Sequence, residues 1–130
     1  MKFLCLICAE KVMEQMPAEM ADRHYEDYRK FTEAISASGH YGGGNRLLPP
    51  ATAATVRVRD GKVSVTDGPF AETKEQLGGY YVIEAADRDE AIRVAAGIPG
   101  AWIGCVEVRP IADDARTAQI LDFATSAGSR

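Results

Sequence analysis

Residues 55–85, TVRVRDGKVSVTDGPFAETKEQLGGYYVIEA, contain the turn and the strands around which the rest of the fold is arranged. Asp60 and Gly61 separate two runs in which apolar and polar residues alternate, a pattern typical of a two-residue β-hairpin. A polar, loop-like segment follows the hairpin, and the chain is then apolar on both faces of a strand. We therefore predict a hairpin at residues 55–66 and a further strand at residues 78–85.

Apolar residues at helical spacing predict two helices, at residues 17–38 and 87–98. Asp87 and Glu90 form an aspartate version of the capping box at the start of the second helix. The buried stripe of the first helix is expected to consist of Met20, His24, Tyr28, Phe31 and Ile35. The remaining predicted strands are at residues 1–9, 40–48 (short and irregular) and 103–111.

This order of elements predicts an α+β fold of the ferredoxin-like βαββαβ type with an added β-hairpin. In that plan both helices cover one face of an antiparallel sheet. The strands at residues 1–9 and 78–85 are nevertheless apolar on both faces, so the second sheet face must also be covered. A second copy of the same sheet is the simplest cover, and we expect a homodimer.

The length of 130 residues suits one domain, which we place at residues 1–111. Residues 112–130 form a C-terminal tail, with one weak helical stretch at 118–123. The net charge of −4 and the absence of a Lys/Arg cluster argue against nucleic acid and anionic membrane as partners. No apolar run has membrane-spanning length, and the first one ends too early for a secretion signal, so we expect a cytoplasmic protein.

Cys5 and Cys8 have the C-x-x-C spacing of redox and metal motifs. Here they fall in a strand, where positions three apart point to opposite faces, and not at a helix N-terminus that would lower a thiol pKa. The sequence offers no second Cys/His pair for zinc. We interpret both as buried structural thiols and expect neither a metal nor a cofactor.

Residues 55–85 also closely resemble the YCII-related family, in the subgroup named for its DGPF motif, here Asp67 to Phe70. The resemblance extends from the first strand through GCVEVRPI. It implies a dimeric α/β barrel made of two ferredoxin-like sheets, with a cleft between sheet and helices or at the dimer seam. This chain departs from the family pattern at His40, at Asn45-Arg46 and at residues 101–103, positions expected to line or flank the cleft.

What the resemblance implies about activity is broad. Members of the family have a His and an Asp proposed as a reacting pair, and one degradative relative removes chloride from a chlorinated hydroxyquinol. The fold is shared with muconolactone isomerase. Genes of the DGPF subgroup often lie beside extracytoplasmic-function sigma factors, which suggests regulation as readily as catalysis.

His24 and Asp67 are the candidate catalytic residues. His24 is the polar member of an apolar stripe, and an imidazole titrates near neutrality, which suits proton transfer. The alternative is a buried neutral His bonded to a backbone carbonyl. Asp67 follows the hairpin, where its carboxylate could serve a site or only cap the turn.

Tyr80, Glu107 and Arg109 are the candidate ligand-binding residues. Arg109 could hold a ligand carboxylate through two hydrogen bonds, or it could pair with a glutamate at a dimer seam. His40 is a second candidate base or a surface residue after the first helix.

Two functions remain open at this point. One is an acid–base enzyme of the isomerase, lyase or dehydrochlorinase type that acts on a small cyclic or conjugated carbonyl compound. The other is a non-catalytic small-molecule-binding or regulatory module linked to a sigma-factor stress circuit. An enzyme requires its two proton-transfer groups to converge on one concave space, whereas a binding module does not.

Overall fold

A computed structural model describes residues 1–10, 16–71 and 73–128, which form six strands and three helices. The strands are β1 (Lys2–Glu10), β2 (Tyr41–Arg46), β3 (Ala54–Arg59), β4 (Lys62–Asp67), β5 (Glu75–Glu84) and β6 (Cys105–Pro110). The helices are α1 (Ala18–Ala37), α2 (Arg88–Ala95) and α3 (Ala115–Gly128). Short 3₁₀ turns lie at Pro50–Thr52 and Pro99–Trp102.

The main sheet has the strand order β2-β5-β1-β6, and every neighbouring pair is antiparallel. Strands β3 and β4 form a separate two-stranded sheet. In the chain they come between β2 and β5, which pair with each other in the main sheet. This is the ferredoxin-like α+β plan with an added hairpin, as the sequence predicts. Within the sheet, Leu6 of the central strand β1 lies opposite both Tyr80 and Glu107.

The core lies between the sheet and the two helices α1 and α2. Because side chains alternate along a strand, Phe3 and Cys5 point into the core while Leu4 and Leu6 lie half-buried on the outward face. The residues that make up the buried core are Phe3, Cys5, Ile35, Tyr81, Ile83, Ala85, Ala91, Ala95 and Ile98. The outward face of β1 is therefore apolar, as predicted.

The predicted capping signals are confirmed. The Glu90 N–H donates to the Asp87 carboxylate at 2.8 Å, and the Glu90 carboxylate accepts from the Ala86 N–H at 2.6 Å. Helix α1 ends before Gly39, whose φ of 81° lies in the left-handed region that favours glycine. Both helices are one to three residues shorter at their ends than predicted.

Three predictions about local structure are wrong. Met20 belongs to the predicted buried stripe of α1 but is 50% exposed. Strand β5 begins at Glu75, three residues before the predicted start at residue 78. Polar Gln76 pairs with β1, and its side-chain amide donates to the Thr73 carbonyl at 2.6 Å. Helix α3 is longer than the predicted 118–123 stretch, because the Asp114 carboxylate caps it by accepting from the Thr117 N–H at 2.7 Å.

Within the described residues, no helix combines the length and the apolar character needed to cross a membrane.

We predict that Gly104→Ala destabilises the protein by about 1–3 kcal/mol, the usual range for overpacking. A Cβ at Gly104 would overlap the backbone carbonyl oxygen of Cys8, which β-sheet pairing holds in place. Gly78→Ala is the matched control, because its Cβ would meet nothing closer than the Ile7 carbonyl oxygen at 3.9 Å. Urea unfolding of both variants measures the difference, and equal stability losses would contradict the close approach at Gly104.

Candidate functional site

A cavity of about 630 Å³ lies between the N-terminal half of α1, the sheet edge formed by β2 and β5, and the chain that follows β2. This volume suits a small organic molecule. Its lining is mainly aromatic and aliphatic, with a few polar groups. The lining side chains that bear on chemistry are His24, Tyr25, Tyr28, Thr32, Asn45, Arg46, Tyr80 and Tyr81.

Helix α1 supplies one wall of the cavity. His24, Tyr28 and Thr32 are spaced by four residues, so they lie one above another on the helix face that overlooks β5. The His24 ring contacts the edge of Tyr28, with ring centroids 4.9 Å apart and planes at 88°. Strand β2 supplies the opposite rim, and Gly44 carries no side chain there to fill the space beside Tyr81.

Two tyrosine hydroxyls on α1 each accept a hydrogen bond from a protein N–H, so each keeps its own O–H available as a donor to a ligand. The two pairs are Tyr25 with Arg46 Nη1 at 2.6 Å and Tyr28 with the Gly100 backbone N–H at 3.0 Å. Tyr80 accepts from Asn45 Nδ2 at 2.9 Å, but its side chain lies on the outward sheet face with its register partner Leu6. The arrangement favours a ligand with electron-rich oxygen atoms.

Burial keeps Tyr28 and Tyr81 protonated. It raises the pKa of Tyr28 to about 12, and it also raises the pKa of Tyr81. Thr32 Oγ1 donates to the Tyr28 carbonyl at 2.9 Å, so its 2.6 Å bond to Tyr81 must have the tyrosine hydroxyl as donor. The phenols of Tyr28 and Tyr81 therefore remain hydrogen-bond donors over a wide pH range.

His24 is the group in the cavity best suited to accept a proton. Burial lowers the pKa of His24 below its usual value, and the nearby Asp27 carboxylate opposes this only in part. The imidazole is accordingly neutral at neutral pH, with a nitrogen lone pair free to act as a base.

Arg46 places a positive charge at the rim. Its guanidinium lies over the Tyr25 ring, 5.5 Å from the centroid, and donates to that ring's hydroxyl. Stacking and hydrogen bonding together orient the guanidinium. On the opposite side Glu10 lines the cavity, but its carboxylate pairs with Lys74 at 3.4 Å. A ligand carboxylate or enolate would meet Arg46 favourably.

The predicted site residues do not all meet in this cavity. His24 and Tyr80 line it. Asp67 is exposed at the end of β4, and it is not among the described residues that line the cavity of its own chain. Glu107 and Arg109 are exposed on β6 and pair with each other at 2.6 Å within one chain.

The DGPF turn is held by the backbone of Gly68. Its N–H donates to the Ala53 carbonyl at 2.7 Å, and its own carbonyl accepts from the Thr55 hydroxyl at 2.9 Å. Gly68 has a φ of 104°, a conformation that side chains disfavour. The Asp67 carboxylate accepts no hydrogen bond from the described residues, and the backbone bonds of Gly68 hold the turn among them.

His40 lies outside the cavity as the described residues define it. Its Nδ1 is 2.7 Å from the Ser38 hydroxyl, and its Nε2 is 3.8 Å from the Glu90 carboxylate. These contacts connect the end of α1 to the start of α2, which indicates a structural role.

Sequence reasoning missed the roles of Tyr25, Tyr28 and Arg46. Tyr28 has the spacing of a core residue, and Tyr25 lies off the buried stripe. Arg46 stands out only as a departure from the family pattern, and its contact with Tyr25 joins positions 21 residues apart. A basic residue at the end of a glycine-rich strand is the signal that the sequence offers.

Two comparisons with known proteins bear on this site. Residues 1–114 match the YCII-related domain family. An uncharacterized protein of Rhizobium meliloti (strain 1021) is 48% identical over 86 residues, which cover 65% of this chain and 66% of the relative. The match thus spans just under two thirds of the relative's length, and the relative's name carries no activity.

We predict that His24 titrates below pH 6.5, its ordinary value. The unfolded chain binds a proton at His24 more readily than the folded chain does. The free energy of unfolding therefore decreases as the pH falls through 6.5 and then through the lowered pKa of His24. Proton NMR of the imidazole C–H signals gives the midpoint, and a His24→Gln variant identifies which signals belong to His24 and not His40. A midpoint at or above 6.5 would contradict a desolvated imidazole.

Proposed function

Because the chain belongs to the YCII-related domain family, we propose that it is a small acid–base enzyme acting on a cyclic or conjugated carbonyl compound. The reaction is of the isomerase, lyase or dehydrochlorinase type. We also assign it to the DGPF subgroup, on the motif at Asp67 to Phe70. The observation that carries the activity is the cavity itself, in which a neutral imidazole faces hydroxyl donors.

The proposed chemistry begins with a C–H bond next to a carbonyl group. The neutral His24 imidazole removes that proton, and the electron pair of the C–H bond moves onto the carbonyl oxygen to give an enolate. A hydrogen bond from Tyr28 stabilises the charge that develops on this oxygen. Return of the proton at another carbon gives an isomer, whereas departure of a group such as chloride from the adjacent carbon gives elimination.

Arg46 selects the ligand in this proposal. A guanidinium forms two parallel hydrogen bonds to a carboxylate, so it orients a ligand as well as attracting it. The aromatic walls formed by Tyr25, Tyr41 and Tyr81 suit a planar or cyclic body. The preferred substrate is therefore a small ring or conjugated compound that carries both a carbonyl group and an anionic group.

A non-catalytic small-molecule-binding or regulatory module is the second candidate. The position of Asp67 favours it, because this carboxylate is exposed and outside the cavity of its own chain. A sensor in a stress circuit needs the shape and donors of the cavity but no second proton-transfer group.

Exchange of hydrogen for deuterium tests the two functions against each other. A panel of cyclic enones and keto acids is incubated with the protein in D₂O, and NMR follows deuterium incorporation next to the carbonyl. This readout needs no knowledge of the product, because proton abstraction alone produces it. We expect incorporation by the wild-type protein, a loss of at least about 100-fold in His24→Gln, and weaker binding of anionic members in Arg46→Gln.

The control variant is Arg93→Gln, which removes an exposed arginine on α2 away from the cavity and should behave as wild type. Saturable binding without incorporation would favour the regulatory module. Incorporation that survives in His24→Gln would refute the role given to His24.

We also propose that the protein is a homodimer in the cytoplasm, with the two main sheets facing each other as a dimeric α/β barrel. Leu4 and Leu6 form an apolar outward face on the main sheet. The hairpin adds a second apolar surface, because four paired valines on one of its faces are each more than half exposed: Val56, Val58, Val63 and Val65. Exposed apolar surface of this extent is typical of an interface. Free cysteines suit a reducing compartment.

A dimer would allow Asp67 of one protomer to serve the cavity of its partner. Mixing experiments test this arrangement: His24→Gln and Asp67→Asn proteins are unfolded together, refolded and assayed for deuterium incorporation. If the site is shared between protomers, mixed dimers regain one complete site and activity returns. Light scattering that gives a monomer mass would refute the dimer, and a dimer without recovered activity would refute the role of Asp67.

A further inference from the structure

Cys8 and Cys105 are directly opposite each other in the antiparallel pairing of β1 with β6. The C-x-x-C spacing draws attention to Cys5 and Cys8, but those two alternate across the sheet, and Cys5 is fully buried in the core. The relevant partner of Cys8 is thus Cys105, which is distant in sequence but adjacent in the sheet. Cys8 is half-buried and Cys105 is exposed.

Residues opposite each other on antiparallel strands have Cβ atoms about 4.5–5.5 Å apart and share one sheet face. A disulfide requires about 3.5–4.5 Å, which is a small adjustment between neighbouring strands. The two thiols are close enough that each changes the pKa of the other.

We propose that Cys8 and Cys105 form an oxidation site, a dithiol that closes into an intramolecular cross-strand disulfide when it meets a peroxide-class oxidant. This inference does not rest on the proposed activity, since neither cysteine lines the cavity as the described residues define it. Cys8 and Cys105 share the outward sheet face that the proposed dimer would cover, so the pair reacts with peroxide in the dissociated protomer. The disulfide would join β6, which lies at one edge of the main sheet, covalently to the central strand β1.

The reaction proceeds in two balanced steps. The exposed Cys105 thiolate attacks one peroxide oxygen, the O–O bond breaks, and the products are a sulfenic acid on Cys105 and one molecule of water or alcohol. The Cys8 thiolate then attacks the Cys105 sulfur, and the sulfenic hydroxyl leaves as water. The two cysteines together lose two electrons and two protons, and the peroxide accepts both.

The surroundings of the pair slow this oxidation at neutral pH. Interaction with the Glu75 carboxylate is the main cause that raises the pKa of Cys105, and burial followed by the charges of Glu107 and Glu75 raises the pKa of Cys8. Glu10 lies two residues beyond Cys8 on the same strand, opposite Glu75, and is paired with Lys74. Since the thiolate is the nucleophile, the site should respond to sustained oxidant and react faster as the pH rises.

Peptide mapping after peroxide treatment tests the proposal on the folded protein. The protein is treated with hydrogen peroxide, remaining thiols are alkylated, and the chain is digested without reductant. We expect a peptide pair linked through Cys8 and Cys105, reversible by dithiothreitol, with Cys5 recovered as the alkylated thiol. Its burial, which raises the pKa of Cys5 to about 11, explains that protection.

Cys8→Ser and Cys105→Ser are the matched controls, and each should yield no intramolecular link. Non-reducing gels give a second readout, because the disulfide encloses most of the chain in a loop and the denatured wild-type protein should migrate faster. The proposal is overturned if Cys8 and Cys105 stay alkylatable, if they are overoxidised without a link, or if Cys105 forms disulfides only between molecules.

Discussion

The register of β1 is the constraint on which the rest of the structure depends. This strand is paired on both sides, so its alternation assigns each neighbouring residue to one of two sheet faces. Phe3 and Cys5 enter the core, whereas Leu6 and Cys8 face outward. A slip by one residue would exchange these sets and expose the core, and it would also separate Cys8 from Cys105. The burial of Phe3 and Cys5 therefore fixes features that are far from the core.

Most of the fold could be predicted from the sequence, because it rests on local signals. The Asp60-Gly61 turn, the capping box at Asp87 and the alternation of the strands each act within a few residues. The errors in the start of β5 and in the length of α3 also result from local hydrogen bonds. The polarity of Gln76 is typical of a loop, because the sequence pattern does not reveal that a loop carbonyl accepts from its amide. Helix α3 was underestimated because a single capping carboxylate outweighs its weak apolar pattern.

The candidate site could be predicted only in part. His24 stands out as a polar residue on an apolar helix face, which a sequence can show. The donor character of Tyr28 depends on the Gly100 backbone, 72 residues away, and that of Tyr25 on Arg46. Such contacts exist only after the sheet has formed. The DGPF motif illustrates the same limit, since the strand pairing that orients Gly68 also places Asp67 on the exposed hairpin, away from the cavity of its own chain.

In the reaction proposed above, the cavity supplies an imidazole that accepts a proton and a phenol that donates a hydrogen bond, and their protonation states are compatible over a wide range of pH. Proton abstraction needs His24 neutral, a condition met above its lowered pKa. Stabilisation of an enolate needs Tyr28 protonated, a condition met up to about pH 12. Burial is the main cause of both pKa shifts, because desolvation disfavours the imidazolium and the phenolate alike. It lowers the pKa of His24 and raises that of Tyr28, so the pH range between the two becomes wider. In the proposed reaction, the enclosure that makes room for a ligand thus prepares the base and the donor together.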